Sequence, residues 1–202
     1  VEDTAISSRI GSLHYEFFEK EDWLEKQLEA QTIPGLLHKY HGRALVIATG
    51  ACAVNCRYCF RRHFPFEEWA LSSENYDEPV ARVASDPSLH EVILSGGDPL
   101  VLPDARLEPL ARRLVSPPHV RRLRIHTRLP IVLPQRVDTA LTTWIASLDV
   151  PVVVVVHVNH ANEIDRDVRR AMAALGAAGA LLLNQAVLLA GVNDSANAVA
   201  DL

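Results

Sequence analysis

The sequence predicts an α/β protein, a partial β/α barrel with five visible β/α units, on three observations. Short aliphatic or β-branched runs alternate with stretches of helical pattern. Those stretches repeat apolar residues at i, i+3, i+4 and i+7. Polar and sulfur-bearing residues collect just past the ends of the runs, and in parallel β/α folds those loops share the face where sites are built.

Residues 1–33 differ from the rest. SLHYEFFEKEDWLEKQLEAQ is charged and helix-favouring and is followed by Pro34-Gly35, so it reads as an N-terminal helical extension ahead of a barrel over 34–202. The predicted strands are Ala44 to Thr49, Glu91 to Leu94, Arg121 to Thr127, Val150 to Val158 and Ala180 to Leu189. The last two lack polar alternation, which predicts cover on both faces. Between them, Asp104 precedes Leu107, Leu110, Ala111 and Leu114 at helical spacing, with Pro109 in the same stretch. Asn162 precedes Ile164, Val168, Met172 and Leu175, and Gly176 stands where that helix is expected to stop.

A chain of 202 residues buries a substantial core, and 49% apolar with 22% charged residues is the balance of a soluble globular protein. A net charge of -5 argues against a nucleic-acid partner held by phosphate contacts. The longest apolar run, Pro151 to Val156, breaks at His157, far short of the roughly 20 residues that span a bilayer. No secretory signal opens the chain, and a reducing cytoplasm fits its cysteines best. It begins at Val1 and stops at Leu202 inside a helix-like pattern, and so reads as a fragment whose C-terminal part is missing.

ACAVNCRYCFRRHF holds Cys52, Cys56 and Cys59, every cysteine in the protein. A redox C-x-x-C explains Cys56 and Cys59 and leaves Cys52 over. A Cys3His zinc site with His63 is open to the same residues. An iron–sulfur cluster explains all three thiols and leaves one iron without a protein ligand, free to react. Past the other strands stand Ser95-Gly96-Gly97-Asp98, His126-Thr127-Arg128, His157-Val158-Asn159-His160, Asn184-Gln185 and Gly191-Val192-Asn193-Asp194. The histidines read as hydrogen-bonded wall residues rather than catalysts, and Trp69 and Trp144 as packing.

C-x3-C-x2-C with Tyr58 before the last cysteine resembles the signature of radical S-adenosylmethionine (SAM) enzymes. PGLLHKY (34–40), CAVNCRYCFRRHF (52–64), SGGDPL (95–100), RIHTRLPIVLPQ (124–135), VNHANEI (158–164) and NQAVLLAGVND (184–194) are similar to the lysine 2,3-aminomutase family. The nearest members in pattern make β-lysine for translation elongation factor P. The likeness runs from about Pro34 to Asp194, with Ala190 where a basic residue is expected.

The resemblance implies a radical SAM partial barrel in which Cys52, Cys56 and Cys59 hold a [4Fe–4S] cluster. It implies SAM against Tyr58, Ser95, Gly96, Gly97 and Asp98, and pyridoxal 5′-phosphate (PLP) near Lys39, Tyr40 and Arg43. Arg61 is expected to grip the substrate carboxylate, and Asp194 either to hold the far ammonium of lysine or to cap the following helix. A reductant protein such as flavodoxin or ferredoxin is the implied partner. The family's cofactor-bearing lysine comes after the GVND segment, and no lysine follows Asp194 here. Two other readings stand beside this one: an aminomutase for another amino acid such as glutamate, and a non-catalytic, zinc-stapled binding module.

Overall fold

A computed structural model describes residues 31–59, 61–64, 66 and 76–202. Residues 1–30 of the extension expected over 1–33, and Trp69, lie outside the described residues. Seven strands form one sheet in the order of the sequence: β1 (Gln31–Ile33), β2 (Leu36–Tyr40), β3 (Arg43–Thr49), β4 (Glu91–Gly96), β5 (Arg122–Thr127), β6 (Val152–Val156) and β7 (Leu181–Asn184). β1, β2 and β3 pair antiparallel, and β3 to β7 run parallel. Those five parallel strands are the five predicted. Because the order never reverses there is no topological switch point, and crossovers of one hand stack their helices on one face, as in a β/α barrel.

The connections carry α1 (Asp77–Ser85), α2 (Asp104–Val115), α3 (Leu129–Val132), α4 (Thr139–Ala146), α5 (Arg166–Ala177) and α6 (Ala196–Ala200). α2 buries Leu107, Leu110, Ala111 and Leu114 as its spacing requires and tolerates Pro109 inside it. α5 begins later than the sequence indicates. His160 and Glu163 close a capping box on a separate 3-10 turn over Ala161–Glu163, and Asp165 then caps α5 through the amides of Asp167 and Val168. It also runs through Gly176, and the chain turns at Gly179, whose φ of 88° suits glycine.

Two differences concern the sheet. Gln31–Ile33, assigned by sequence to the extension, forms β1 and pairs with β2, so a short antiparallel flank precedes the parallel strands. β6 is buried on both faces as expected. β7 is not: it has one neighbour at the sheet edge, spans only Leu181–Asn184, and leaves Leu181 58% exposed.

The two faces of the sheet differ in chemistry because side chains alternate along each strand. Ala44, Val46, Ala48, Val92, Leu94, Leu123, Ile125, Val152, Val154 and Val156 join the helices' Leu107, Leu110, Leu114, Leu141 and Leu175 in the main core. By the same alternation Arg43, Glu91, Ser95, Arg124 and His126 fall on the opposite, inner face, which mixes these polar groups with Leu45, Ile47, Ile93, Val153 and Val155. That face has one small apolar cluster, Leu37, Ile47 and Phe64.

Candidate active site

The cysteine loop leaves the C-terminal end of β3 and is fixed by its neighbour rather than by itself. The Gly97 amide donates to the Thr49 carbonyl at 2.7 Å and the Asp98 amide to the Ala51 carbonyl at 2.8 Å. A Cβ on Gly97 would collide with the backbone of Ala51, and one on Gly96, whose φ is 114°, with the carbonyl of Thr49. The two glycines therefore permit two chain segments to touch, a role the sequence reading did not give them. Cys56 and Cys59 are joined by a turn, with the Cys59 amide donating to the Cys56 carbonyl at 3.1 Å, and Phe64 anchors the far end of the loop on the inner face.

Asp98 is buried, and its carboxylate is occupied by its own chain. Oδ1 accepts from the Leu100 amide at 3.0 Å and the Thr127 hydroxyl at 2.6 Å. Oδ2 accepts from the amides of Arg128 and Leu129 at 2.8 and 2.9 Å. Four donors fill the acceptor sites of a carboxylate, so Asp98 ties the β4 loop to the β5 loop. Glu163 does the same one strand further on. Its Oε1 accepts from the amides of Asn159 and His160, and its Oε2 pairs with Arg128 at 2.7 Å. Asn159 and Asn184 likewise spend their side chains on backbone groups of neighbouring segments, and Asn193 spends its own on Val187 and Leu189 within its loop.

Arg61 reaches from the cysteine loop to the end of β4, donating to Ser95 Oγ at 2.8 Å and to the Gly96 carbonyl at 3.4 Å. Burial lowers its pKa to about 10, against the opposing pull of Cys59 and Cys52, so it stays cationic at neutral pH. The Cys52 thiol is pushed up to about 11 by partial desolvation and then by Asp98, Cys59 and Cys56. Cys52 thus feels the other two sulfurs. Among the described residues no group of three or more His, Cys, Asp or Glu side chains converges on a single metal position. A cluster in which each thiolate holds a different iron does not require such convergence, so neighbouring but separate thiols fit it.

Lys39, Tyr40 and Arg43 sit at the β2–β3 turn, with Lys39 Nζ 5.6 Å and Arg43 Cζ 5.8 Å from the centre of the Tyr40 ring. They lie at the opposite end of β3 from the cysteines, roughly 20 Å away for six residues of strand. The inner face between them carries Ser95, His126 and the Glu91–Arg124 ion pair, 2.6 Å long. Asp194 is exposed and accepts from the Gly191 amide at 2.9 Å. It is not the helix cap: Ser195 caps α6 by accepting from the Ala198 amide.

Three buried side-chain polar atoms have no partner among the described residues: Tyr58 Oη, His126 Nε2 and Arg128 Nε. Buried polar atoms are nearly always paired, and these belong to the loops after β3 and β5 and to the C-terminal end of β5, segments that sequence reasoning singled out. Arg128 was seen there only as one polar residue in a row; its contacts cross too much sequence to leave a local pattern.

Burial, then His157, Arg124 and Arg61, lower the pKa of His126 to about 4, with Gln185 opposing. His157 is lowered too, chiefly by burial. Both imidazoles are therefore favoured neutral in the fold. Their contribution to stability is complete above the unfolded value near 6.5 and is lost as pH falls toward 4. Urea unfolding should show stability falling across that window, with His126→Gln removing about 2 kcal/mol of the fall after allowance for partial exposure. Identical slopes for the two proteins would refute this.

The radical SAM superfamily pattern matches residues 46–196. Proteins named L-lysine 2,3-aminomutase are similar over most of the chain. The Escherichia coli K12 protein is 51% identical over 181 residues, 90% of this chain and 52% of that protein. The Haemophilus influenzae protein is 47% identical over 184 residues, 90% of this chain and 54% of its own length. The Clostridium subterminale protein is 38% identical over 183 residues, 89% and 44%. The chain spans about half the length of the curated relatives it matches. A matching pattern that runs from β3 to the start of α6, together with the clamped C-x3-C-x2-C loop it covers, establishes that this chain belongs to the radical SAM superfamily.

Proposed function

We propose that these residues form the radical-generating part of a SAM- and PLP-dependent lysine 2,3-aminomutase that makes β-lysine for translation elongation factor P, in the cytoplasm. The observation that carries the reading is the placement of the only three unpartnered buried side-chain polar atoms among the described residues: Tyr58 Oη and Arg128 Nε on the loops after β3 and β5, and His126 Nε2 at the C-terminal end of β5 itself. A polar ligand bound between those loops is what would satisfy them. The relatives' names favour lysine over glutamate.

Cys52, Cys56 and Cys59 would hold a [4Fe–4S] cluster, which with SAM supplies radical chemistry while PLP carries the migrating amine. The chain's own residues bind and orient. Tyr58 lies between two cluster ligands, its ring 5.2 Å from the Arg128 guanidinium carbon. The backbone at Ser95, Gly96 and Gly97, held by Asp98, lines the SAM side; the Asp98 carboxylate itself is committed to the loops. Arg61, steadied by Ser95, presents a planar cationic donor suited to a carboxylate. Arg43 and Lys39 offer cations to a phosphate at the other end of the inner face, with Tyr40 between them. Asp194 offers a carboxylate to the lysine ammonium. Electrons would come from a flavodoxin or ferredoxin. Among the described residues no helix is long and apolar enough to cross a membrane.

The test uses a protein of the relatives' full length, reconstituted anaerobically with SAM, PLP and a reductant and assayed for β-lysine. Arg61→Lys should keep its iron and lose more than tenfold in turnover, since a buried charge-assisted contact is worth about 2 to 5 kcal/mol. Asp194→Asn should slow lysine far more than an uncharged analogue of similar length. Wild-type protein that holds iron and cleaves SAM but leaves lysine unchanged would reject the substrate assignment. Equal slowing of both substrates would remove Asp194 from the site.

A further inference from the structure

We propose that Arg128 is a positioning residue of the iron–sulfur centre, donating a hydrogen bond to the Cys56 sulfur that raises the reduction potential of the cluster. The inference rests on the cluster assignment made above. Arg128 Nη1 lies 3.2 Å from Cys56 Sγ, across 72 residues of sequence. Its guanidinium carbon is 5.2 Å from the centre of the Tyr58 ring, and Nη2 pairs with Glu163 Oε2 at 2.7 Å. The Arg128 amide is itself held by Asp98. One side chain is thus stacked, ion-paired and aimed at a thiol, with both of its carboxylate anchors committed to neighbouring loops.

This arrangement does more than fill space. Arg128 and Glu163 are each mostly buried, with side-chain exposures of 20% and 25%, so the contact is screened less than a surface pair. When a cluster accepts an electron, negative charge grows on its sulfurs. A cationic N–H donor at one sulfur stabilises the reduced state more than the oxidised state, and hydrogen bonds to sulfur are among the recognised determinants of cluster potential. Glu163 moderates the charge of the arginine but fixes the direction of its donor. Tyr58, under the same guanidinium, is held beside the ligand it precedes. Arg128 acts through Cys56 and Tyr58 rather than on substrate.

The experiment is an anaerobic redox titration of the reconstituted protein, followed by the electron paramagnetic resonance of the reduced cluster, with iron counted in every sample. In Arg128→Met the ratio of reduced to oxidised cluster at a fixed potential should fall about tenfold, a 59 mV shift for a one-electron couple. Arg128→Lys keeps the charge but loses the fork and the stacking, so its shift should be downward and smaller. An iron-loaded Arg128→Met with the wild-type potential overturns the proposal. If that variant does not hold iron, Arg128→Lys decides: a lowered potential supports the proposal, and a wild-type potential or loss of iron there too refutes it. Wild-type protein that takes up no iron counts against the cluster assignment, not against this contact.

Discussion

Replacing any one of Cys52, Cys56 or Cys59 with alanine is expected to abolish the cluster and every trace of SAM cleavage, while His63→Ala keeps both. Anaerobically reconstituted wild-type protein should carry about four irons per chain. The contrast follows from the loop. Cys52, Cys56 and Cys59 stand on one loop, and their thiols must lose their protons to bind iron. His63 is exposed beyond the turn that carries Arg61. Iron and zinc analysis with visible absorption decides the matter. Stoichiometric zinc in the wild type, or iron lost in His63→Ala, would replace the cluster by a Cys3His zinc site.

Asp98→Ala should be among the most destabilising single changes in the described residues, lowering unfolding free energy by about 3 to 5 kcal/mol. It leaves the amides of Leu100, Arg128 and Leu129 and the buried Thr127 hydroxyl without their acceptor. Thr127 retains its bond from the Leu129 amide, so the loss is less than four independent bonds. Asp98→Asn keeps one acceptor but turns an amide donor toward other donors, and should fall between wild type and alanine. Denaturant titration of the metal-free protein separates this from any effect on the cluster. A loss below about 1 kcal/mol for alanine would mean that water replaces the carboxylate.

The parallel strands were legible because aliphatic runs and helical spacing are local patterns, and they reappear as β3 to β7. β1 and β2 were not, since LLHKY buries only Leu36 and Leu37 fully and is a short stretch between turns at Gly35 and Gly42, with no run of apolar residues to mark it. β7 misled because an unbroken apolar run marks a buried strand only when neighbours cover it, and at the sheet edge nothing in Leu181–Asn184 announces their lack. In the site, the cysteines were legible from spacing alone. The clamps were not: Asp98 binds 29 to 31 residues away and Arg128 reaches 72 residues back, distances at which sequence shows residue type but not partner. The family likeness marked Asp98 as a SAM contact, and the structure adds a tie between the β4 and β5 loops that no sequence pattern announces.

The unreversed strand order bears on how this protein acquires its shape during synthesis. Each parallel strand pairs with the one made just before it, so every closure spans one β/α unit and no strand waits on a distant partner, which keeps the entropic cost of each step low. The cysteine loop, by contrast, emerges early and is completed in instalments. β4 brings the amides of Gly97 and Asp98, β5 brings Arg128, and the turn after β6 brings Glu163. Until that turn has left the ribosome, the three thiols stand on a loop that lacks its last brace, the hold of Glu163 on Arg128.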